Sequence, residues 1–168
     1  RARVRAQETN LGNLIADAML AKAAPWGARI AITNGGGIRA SIDAGEITLG
    51  EVLTVMPFGN TLMVTELTGA QIVEALENGV SQVESGAGRF PQVAGLLFVW
   101  DPKQAPGKRV VKVEVRQADG TYQPIDLTAS YKVATNNFMY AGGDGYRVFT
   151  QGRDPIEAGF VDYEVLVE

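Results

Sequence analysis

Two glycine-rich segments contain the polar side chains best suited to hold a small ligand. In the first, Asn34 and Arg39 flank three consecutive glycines, residues 35–37, which follow an apolar run. Backbone N–H groups in such a turn come close to a ligand because glycine has no side chain. The segment therefore predicts binding of an anion or a polar group. The alternative interpretation is a tight turn at the end of a strand, with Arg39 in solvent.

The second segment, residues 142–145, places Asp144 between two glycines and follows Phe138. A carboxylate offers several acceptor positions, so it suits the adjacent hydroxyls of a sugar. An ordinary surface turn has the same composition, and both interpretations stay open from the residues alone.

Phe58 and Phe138 each lie near a glycine-containing turn. Loops usually run over the surface, so two such rings are placed to hold a flat base between them. Stacking of this kind contributes about 1–3 kcal/mol per base. Alternatively, each ring fills the core beneath its own loop.

Basic residues are concentrated at the N-terminus, where Arg1, Arg3 and Arg5 alternate with other residues. The planar guanidinium group of arginine suits phosphate, although an exposed terminus has the same pattern. Together, these segments supply the groups that a nucleotide pocket needs for a base, a ribose and a phosphate. They include no obvious nucleophile or general base.

The composition excludes several kinds of catalytic site. The chain has 168 residues with no histidine and no cysteine, so neither a Ser-His-Asp triad nor a cysteine nucleophile is available. A transition-metal site made only of carboxylates and amides would be a poor match for such metals. The net charge of −4 argues against broad nucleic-acid binding. No apolar run approaches the roughly 20 residues of a membrane-spanning helix.

Periodic patterns predict the elements that would position these groups. Residues 11–22 repeat apolar side chains at helical spacing, and Thr68 and Gln71 have the spacing of a capping box ahead of a second helix. Val111, Val113 and Val115 alternate with polar residues, which predicts a strand with one buried face. Apolar runs predict further strands at residues 28–33, 60–67, 96–100 and 131–135.

The order of these elements predicts the fold class. Helices and strands are interleaved, yet Asp119 and Gly120 form a hairpin signal between two strands. We therefore expect one α+β domain over residues 1–168, with helices packed on a mixed β-sheet. The tail, residues 160–168, has a helical pattern.

Five segments in order resemble the C-terminal domain of the 5'-nucleotidase family, which includes ecto-5'-nucleotidase and bacterial UDP-sugar hydrolase. The resemblance covers residues 5–166, and its segments are ETNLGNLIADAM, NGGGIR, TLGEVLTVMPFGN, LTGAQIVEALE and ATNNFMYAGGDGY. It implies a hydrolase in which an N-terminal metallophosphoesterase domain, absent from this chain, holds two divalent metal ions. It therefore implies no catalytic or metal-binding residue in this chain, which would be inactive alone.

The resemblance also implies roles for individual residues in binding the ligand. Arg5 resembles a phosphate-facing arginine. Asn34 and Arg39 match ligand-contacting side chains, and Gly36 and Gly37 match backbone contacts of the same loop.

The nucleoside end is implied to be held by Phe58 and Phe138, which match two rings that sandwich the base, and by Asp144, which matches the acid that holds the ribose hydroxyls. AMP, UDP-sugars, NAD and cyclic nucleotides all remain possible substrates. Family members act mostly in the periplasm, at the cell surface or outside the cell. The alternatives are a non-catalytic module that binds a ligand or a protein, and a structural domain with both phenylalanines buried far apart.

Overall fold

The computed structural model describes residues 10–35, 60–85 and 88–161, which form three α-helices and eight β-strands. The third helix is a single turn, and the elements are α1 (Asn10–Ala23), β1 (Ile30–Asn34), β2 (Thr61–Thr68), α2 (Gly69–Gly79), β3 (Pro91–Ala94), β4 (Leu96–Trp100), β5 (Val110–Arg116), β6 (Tyr122–Pro124), β7 (Ser130–Asn136), α3 (Asn137–Tyr140) and β8 (Arg153–Val161).

The strands form two sheets. The larger sheet has five strands in the order β3-β1-β7-β2-β8, and the smaller has three in the order β4-β5-β6. In the larger sheet β1 and β7 run parallel, whereas their other pairings are antiparallel. This arrangement confirms the expected α+β fold with a mixed sheet. The second sheet was not expected, because strand order cannot be read from local patterns.

Both faces of the larger sheet are covered. Helix α1 packs on one face against Ala31, while α2 and the smaller sheet pack on the other face against Ile30 and Ile32. Successive side chains of a strand point to opposite faces, so β1 is buried along its whole length. A strand enclosed in this way gives the residue at its end a fixed position.

The structure confirms the two helices predicted for residues 11–22 and for the segment after Thr68. In α2, Thr68 Oγ1 accepts a hydrogen bond from Gln71 N and Gln71 Oε1 accepts one from Thr68 N, which completes the capping box. In α1 the buried stripe is displaced from the predicted one, since Leu14 is 47% exposed. The buried apolar side chains of α1 are Ile15, Ala16, Met19 and Ala23.

Two sequence-based expectations were wrong. Val111 is 67% exposed rather than buried. Val99 pairs with Lys112 while Trp100 pairs with Val110, so Val111 is the extra residue of a β-bulge that interrupts the alternation. In the tail, Phe160 and Val161 belong to β8 instead of a helix, because they extend a strand that pairs with β2.

Candidate nucleoside-binding site

The site lies at one edge of the larger sheet. Because β1 and β7 are parallel neighbours, their last residues, Asn34 and Asn136, lie at the same edge. The chain continues from β7 into α3 and then into the second glycine-rich segment. Strand order thus brings together residues that are about a hundred positions apart in the sequence.

A chain of hydrogen bonds connects the two strand ends to Asp144. Asn136 Nδ2 donates to Asn34 Oδ1 at 3.0 Å, and Asn34 Nδ2 donates to Asp144 Oδ2 at 2.7 Å. Asn34 is only 4% exposed and Asn136 only 6%. Buried amides are normally hydrogen-bonded, and here the amide of Asn136 donates to that of Asn34, which donates to Asp144. The position of the Asp144 carboxylate is consequently fixed by side chains buried at the ends of β1 and β7.

The backbone N–H group of Met139 determines which atoms donate and which accept in this series of hydrogen bonds. It donates to Asn136 Oδ1 at 2.8 Å, so Asn136 caps α3 and must use its Nδ2 as a donor toward Asn34. Asn34 in turn must donate to Asp144. Since every step needs an acceptor, Asp144 Oδ2 accepts the hydrogen bond from Asn34 Nδ2.

Phe138 lies on α3 and does not fill the core, since its side chain is 44% exposed. A Cβ atom built on Gly143 would lie 2.6 Å from three distal ring carbons, Cε1, Cε2 and Cζ. The ring therefore rests flat on the backbone of Gly143, immediately before Asp144. Asn137 Oδ1 accepts a hydrogen bond from Thr61 N at 3.0 Å, which ties α3 to the start of β2.

Tyr146 anchors the far end of the glycine segment. Its side chain is fully buried, and its hydroxyl donates to Arg89 O. Burial raises the pKa of Tyr146 far above its ordinary value. The negative charge of Asp144 raises this pKa further, while the positive charge of Arg89 opposes the rise. The phenol therefore remains protonated and keeps its role as a donor.

Of the residues that the sequence singled out, the structure brings Asn34, Phe138 and Asp144 together. Arg5, Gly36, Gly37, Arg39 and Phe58 lie outside the described residues. Sequence reasoning missed Asn136, which joins the other side chains. The available signal was a pair of asparagines directly after an apolar strand, where polar side chains usually begin a turn or cap a helix.

Residues 10–35, 60–85 and 88–161 contain no cluster of three acidic side chains that could hold a metal ion. In the same part of the chain, every helix is too short or too polar to cross a bilayer.

The sequence matches the family described as 5'-nucleotidase, C-terminal domain, over residues 1–151. It is 59% identical to the trifunctional nucleotide phosphoesterase protein YfkN of Bacillus subtilis, where the match covers all of this chain and 12% of the relative. It is 36% identical to snake venom 5'-nucleotidase of Naja atra, where the match covers 96% of this chain and 33% of the relative. The chain thus spans a third or less of the length of these relatives.

Solved structures give the same result. A 5'-nucleotidase precursor from Thermus thermophilus superposes with a TM-score of 0.95 at 53% identity, over 99% of this chain and 33% of that one. The NAD nucleotidase of Haemophilus influenzae superposes with a TM-score of 0.82 at 31% identity, over 94% of this chain and 29% of that one. With its sequence and its fold in agreement, the chain belongs to the family of 5'-nucleotidase C-terminal domains.

Proposed function

We propose that this chain is the substrate-recognition domain of a 5'-nucleotidase-type phosphoric ester hydrolase and binds the nucleoside part of a nucleotide. The observation that carries the proposal is the exposed ring of Phe138, resting on Gly143 next to the carboxylate of Asp144. A flat apolar surface beside a fixed acceptor is the combination that a base and its ribose require.

In this proposal, separate residues of the chain bind the base and the ribose of the nucleoside. The base stacks on the face of Phe138 that Gly143 does not cover, and Phe58 supplies the second ring. Asn34 uses one acceptor position of the Asp144 carboxylate, and the remaining lone pairs accept the ribose hydroxyls.

The residues proposed to bind the phosphate are those that the family resemblance implies. Arg5 and Arg39 hold the phosphate oxygens, while Asn34 and the backbone of Gly36 and Gly37 contact the ligand from the first glycine-rich segment. Hydrolysis would belong to a separate domain, where two divalent metal ions, when bound, would activate the attacking water. This chain contributes orientation, since binding energy remote from the reacting bond places the phosphorus atom for attack.

The names of the relatives support a nucleotide as the ligand, since they are a nucleotide phosphoesterase, 5'-nucleotidases and an NAD nucleotidase. Together with the family resemblance, they lead us to propose AMP, UDP-sugars, NAD or cyclic nucleotides as ligands. A venom protein and a precursor are among them, in agreement with a location in the periplasm, at the cell surface or outside the cell.

Calorimetric titration of the full-length gene product with adenosine, AMP and UDP-glucose tests the proposal. A chelator prevents turnover. All three ligands contain ribose, so Asp144→Ala should weaken each of them roughly ten- to a hundredfold, as expected for a lost hydrogen bond to a charged group. Phe138→Ala should weaken them roughly five- to a hundredfold through lost stacking.

Leu127→Ala is the matched control, because Leu127 is also exposed but lies outside the site. The Leu127→Ala variant should bind all three ligands with the affinity of the wild type. Unchanged affinity in both Asp144→Ala and Phe138→Ala, with the fold intact by circular dichroism, would show that the nucleoside does not bind here.

A further inference from the structure

The backbone of Asp144 has a conformation that the residue alone does not secure. Its φ is 54° and its ψ is 28°, in the left-handed region that residues with a Cβ rarely adopt. Gly142 and Gly145, on either side, also have positive φ. A glycine-rich segment can adopt many backbone conformations, so contacts with residues outside the segment must stabilise one of them.

One such contact comes from Asn78, near the end of α2. Asn78 Nδ2 donates to the backbone carbonyl of Asp144 at 3.0 Å, and Arg89 Nη1 donates to Asn78 Oδ1 at 3.0 Å. A guanidinium group only donates and a carbonyl only accepts, so the amide of Asn78 has one possible orientation. Asp144 is thus held at its carboxylate by Asn34 and at its carbonyl by Asn78.

Arg89 is itself fixed on several sides. Its Nη1 also donates to Ser81 Oγ at 3.3 Å, and its backbone carbonyl accepts from the hydroxyl of Tyr146. Its Nε atom is buried and has no hydrogen-bond partner among the described residues. The bonds of Nη1 and of the backbone carbonyl therefore fix the arginine, although a buried N–H group without a partner costs free energy.

Gly145 allows this contact to form. A Cβ atom at this position would lie 2.6 Å from Asn78 Oδ1 and 3.0 Å from Arg89 Nη1. The two side chains occupy the space that any other residue at 145 would need. The last glycine of the Gly-Asp-Gly segment is therefore matched to the Asn78–Arg89 pair as well as to its own φ of 79°.

We propose that Asn78 and Arg89 are positioning residues for nucleoside recognition: they hold Asp144 from behind so that its carboxylate faces the ribose. This inference rests on the proposed role of Asp144 in binding the ribose. The pair does not touch the ligand, and its contribution is to reduce the number of conformations that the ligand must select.

The test compares Asn78→Ala with Glu77→Ala in the full-length gene product. Glu77 precedes Asn78 in α2, and its carboxylate accepts hydrogen bonds from the backbone N–H groups of Arg109 (3.1 Å) and Val110 (2.6 Å). Each variant thus loses two hydrogen bonds at the end of α2, but only Asn78 reaches Asp144. Adenosine affinity is measured by calorimetry and Tm by calorimetric scanning.

Asn78→Ala should weaken adenosine binding roughly three- to tenfold, as expected for one lost hydrogen bond, and Glu77→Ala should leave it unchanged although both lower Tm. Asn78→Asp retains the acceptor for Arg89 but removes the donor to Asp144, so it should weaken binding as Asn78→Ala does. In an Asp144→Ala background, Asn78→Ala should cause no further loss.

Three outcomes would overturn the inference. Wild-type affinity in Asn78→Ala, together with weakened binding in Asp144→Ala, would reject the positioning role and leave the proposed function standing. Additive losses in the double variant would show that Asn78 does not act through Asp144. Wild-type affinity in Asp144→Ala would reject the proposed role of Asp144 in binding the ribose, and this inference with it.

Discussion

Asn34 and Asp144, 110 positions apart in the chain, share a 2.7 Å hydrogen bond between Nδ2 and Oδ2. The donor is buried at the end of β1, and the acceptor lies in a loop at the surface. This single contact connects the order of the strands to the direction of the carboxylate, so changes inside the sheet should affect ligand binding.

Replacement of Asn34 by alanine should therefore lower both stability and affinity. It removes the donor to Asp144 and leaves Asn136 Nδ2 buried without its acceptor. We expect a loss of about 1–3 kcal/mol in the free energy of unfolding, measured with urea, and weaker adenosine binding.

Thr65→Val is the control for the Asn34 variant. Thr65 is buried on β2, and its hydroxyl donates to Arg153 O at 3.1 Å, with no hydrogen bond to the site residues. This variant should lose stability and retain affinity. Equal affinity in the two variants would contradict a role for Asn34 in directing Asp144.

Gly143→Ala should affect binding more than stability. The new methyl group would occupy space that the ring of Phe138 now fills, and the exposed ring is free to rotate away. We expect nearly unchanged Tm and adenosine binding weakened roughly five- to a hundredfold, since the stacking surface is displaced. A crystal structure of the variant with Phe138 still in place would contradict this reasoning.

Gly145→Ala should destabilise the protein more than Gly120→Ala does. Both glycines have positive φ, 79° and 87°, so both variants carry the backbone strain. Only at position 145 would the methyl group collide with other atoms, those of Asn78 and Arg89, because a Cβ at Gly120 has nothing within 4 Å. We expect an additional loss of about 1–3 kcal/mol from overpacking, measured by urea unfolding. Equal losses would mean that the space behind Gly145 is open.

Glu84 should contribute to stability in a pH-dependent way. A hydrogen bond from Arg109, whose Nη2 lies 2.5 Å from Glu84 Oε1, is the largest cause that lowers the pKa of Glu84 below its ordinary 4.5. The unfolded chain thus binds this proton more readily, so the stabilisation is present above pH 4.5 and is lost as pH falls through the lower folded value.

Glu84→Gln should accordingly lower Tm at neutral pH, and the difference from wild type should shrink below about pH 4. Glu74→Gln is the control, because Glu74 forms no ion pair with any residue in the described ranges. A constant difference for Glu84→Gln across the pH range would contradict the expectation.

Local information in the sequence was sufficient for much of the fold. Periodicity predicted α1, and the spacing of Thr68 and Gln71 predicted the start of α2. The Asp119-Gly120 turn between β5 and β6 was also predicted, since it joins strands that are adjacent in the chain. Local signals failed at Val111, because the bulge depends on how β5 pairs with β4.

The sequence by itself determined which chemistry is available: a carboxylate between glycines, an aromatic ring near a turn, amides at strand ends, and no histidine or cysteine. Only the tertiary structure decided which of these groups meet. Placing β1 beside β7 brings Asn34 to Asn136, and the packing of α2 behind the loop brings Asn78 to Asp144. These contacts depend on strand order and packing between distant segments, which no local pattern of residues contains.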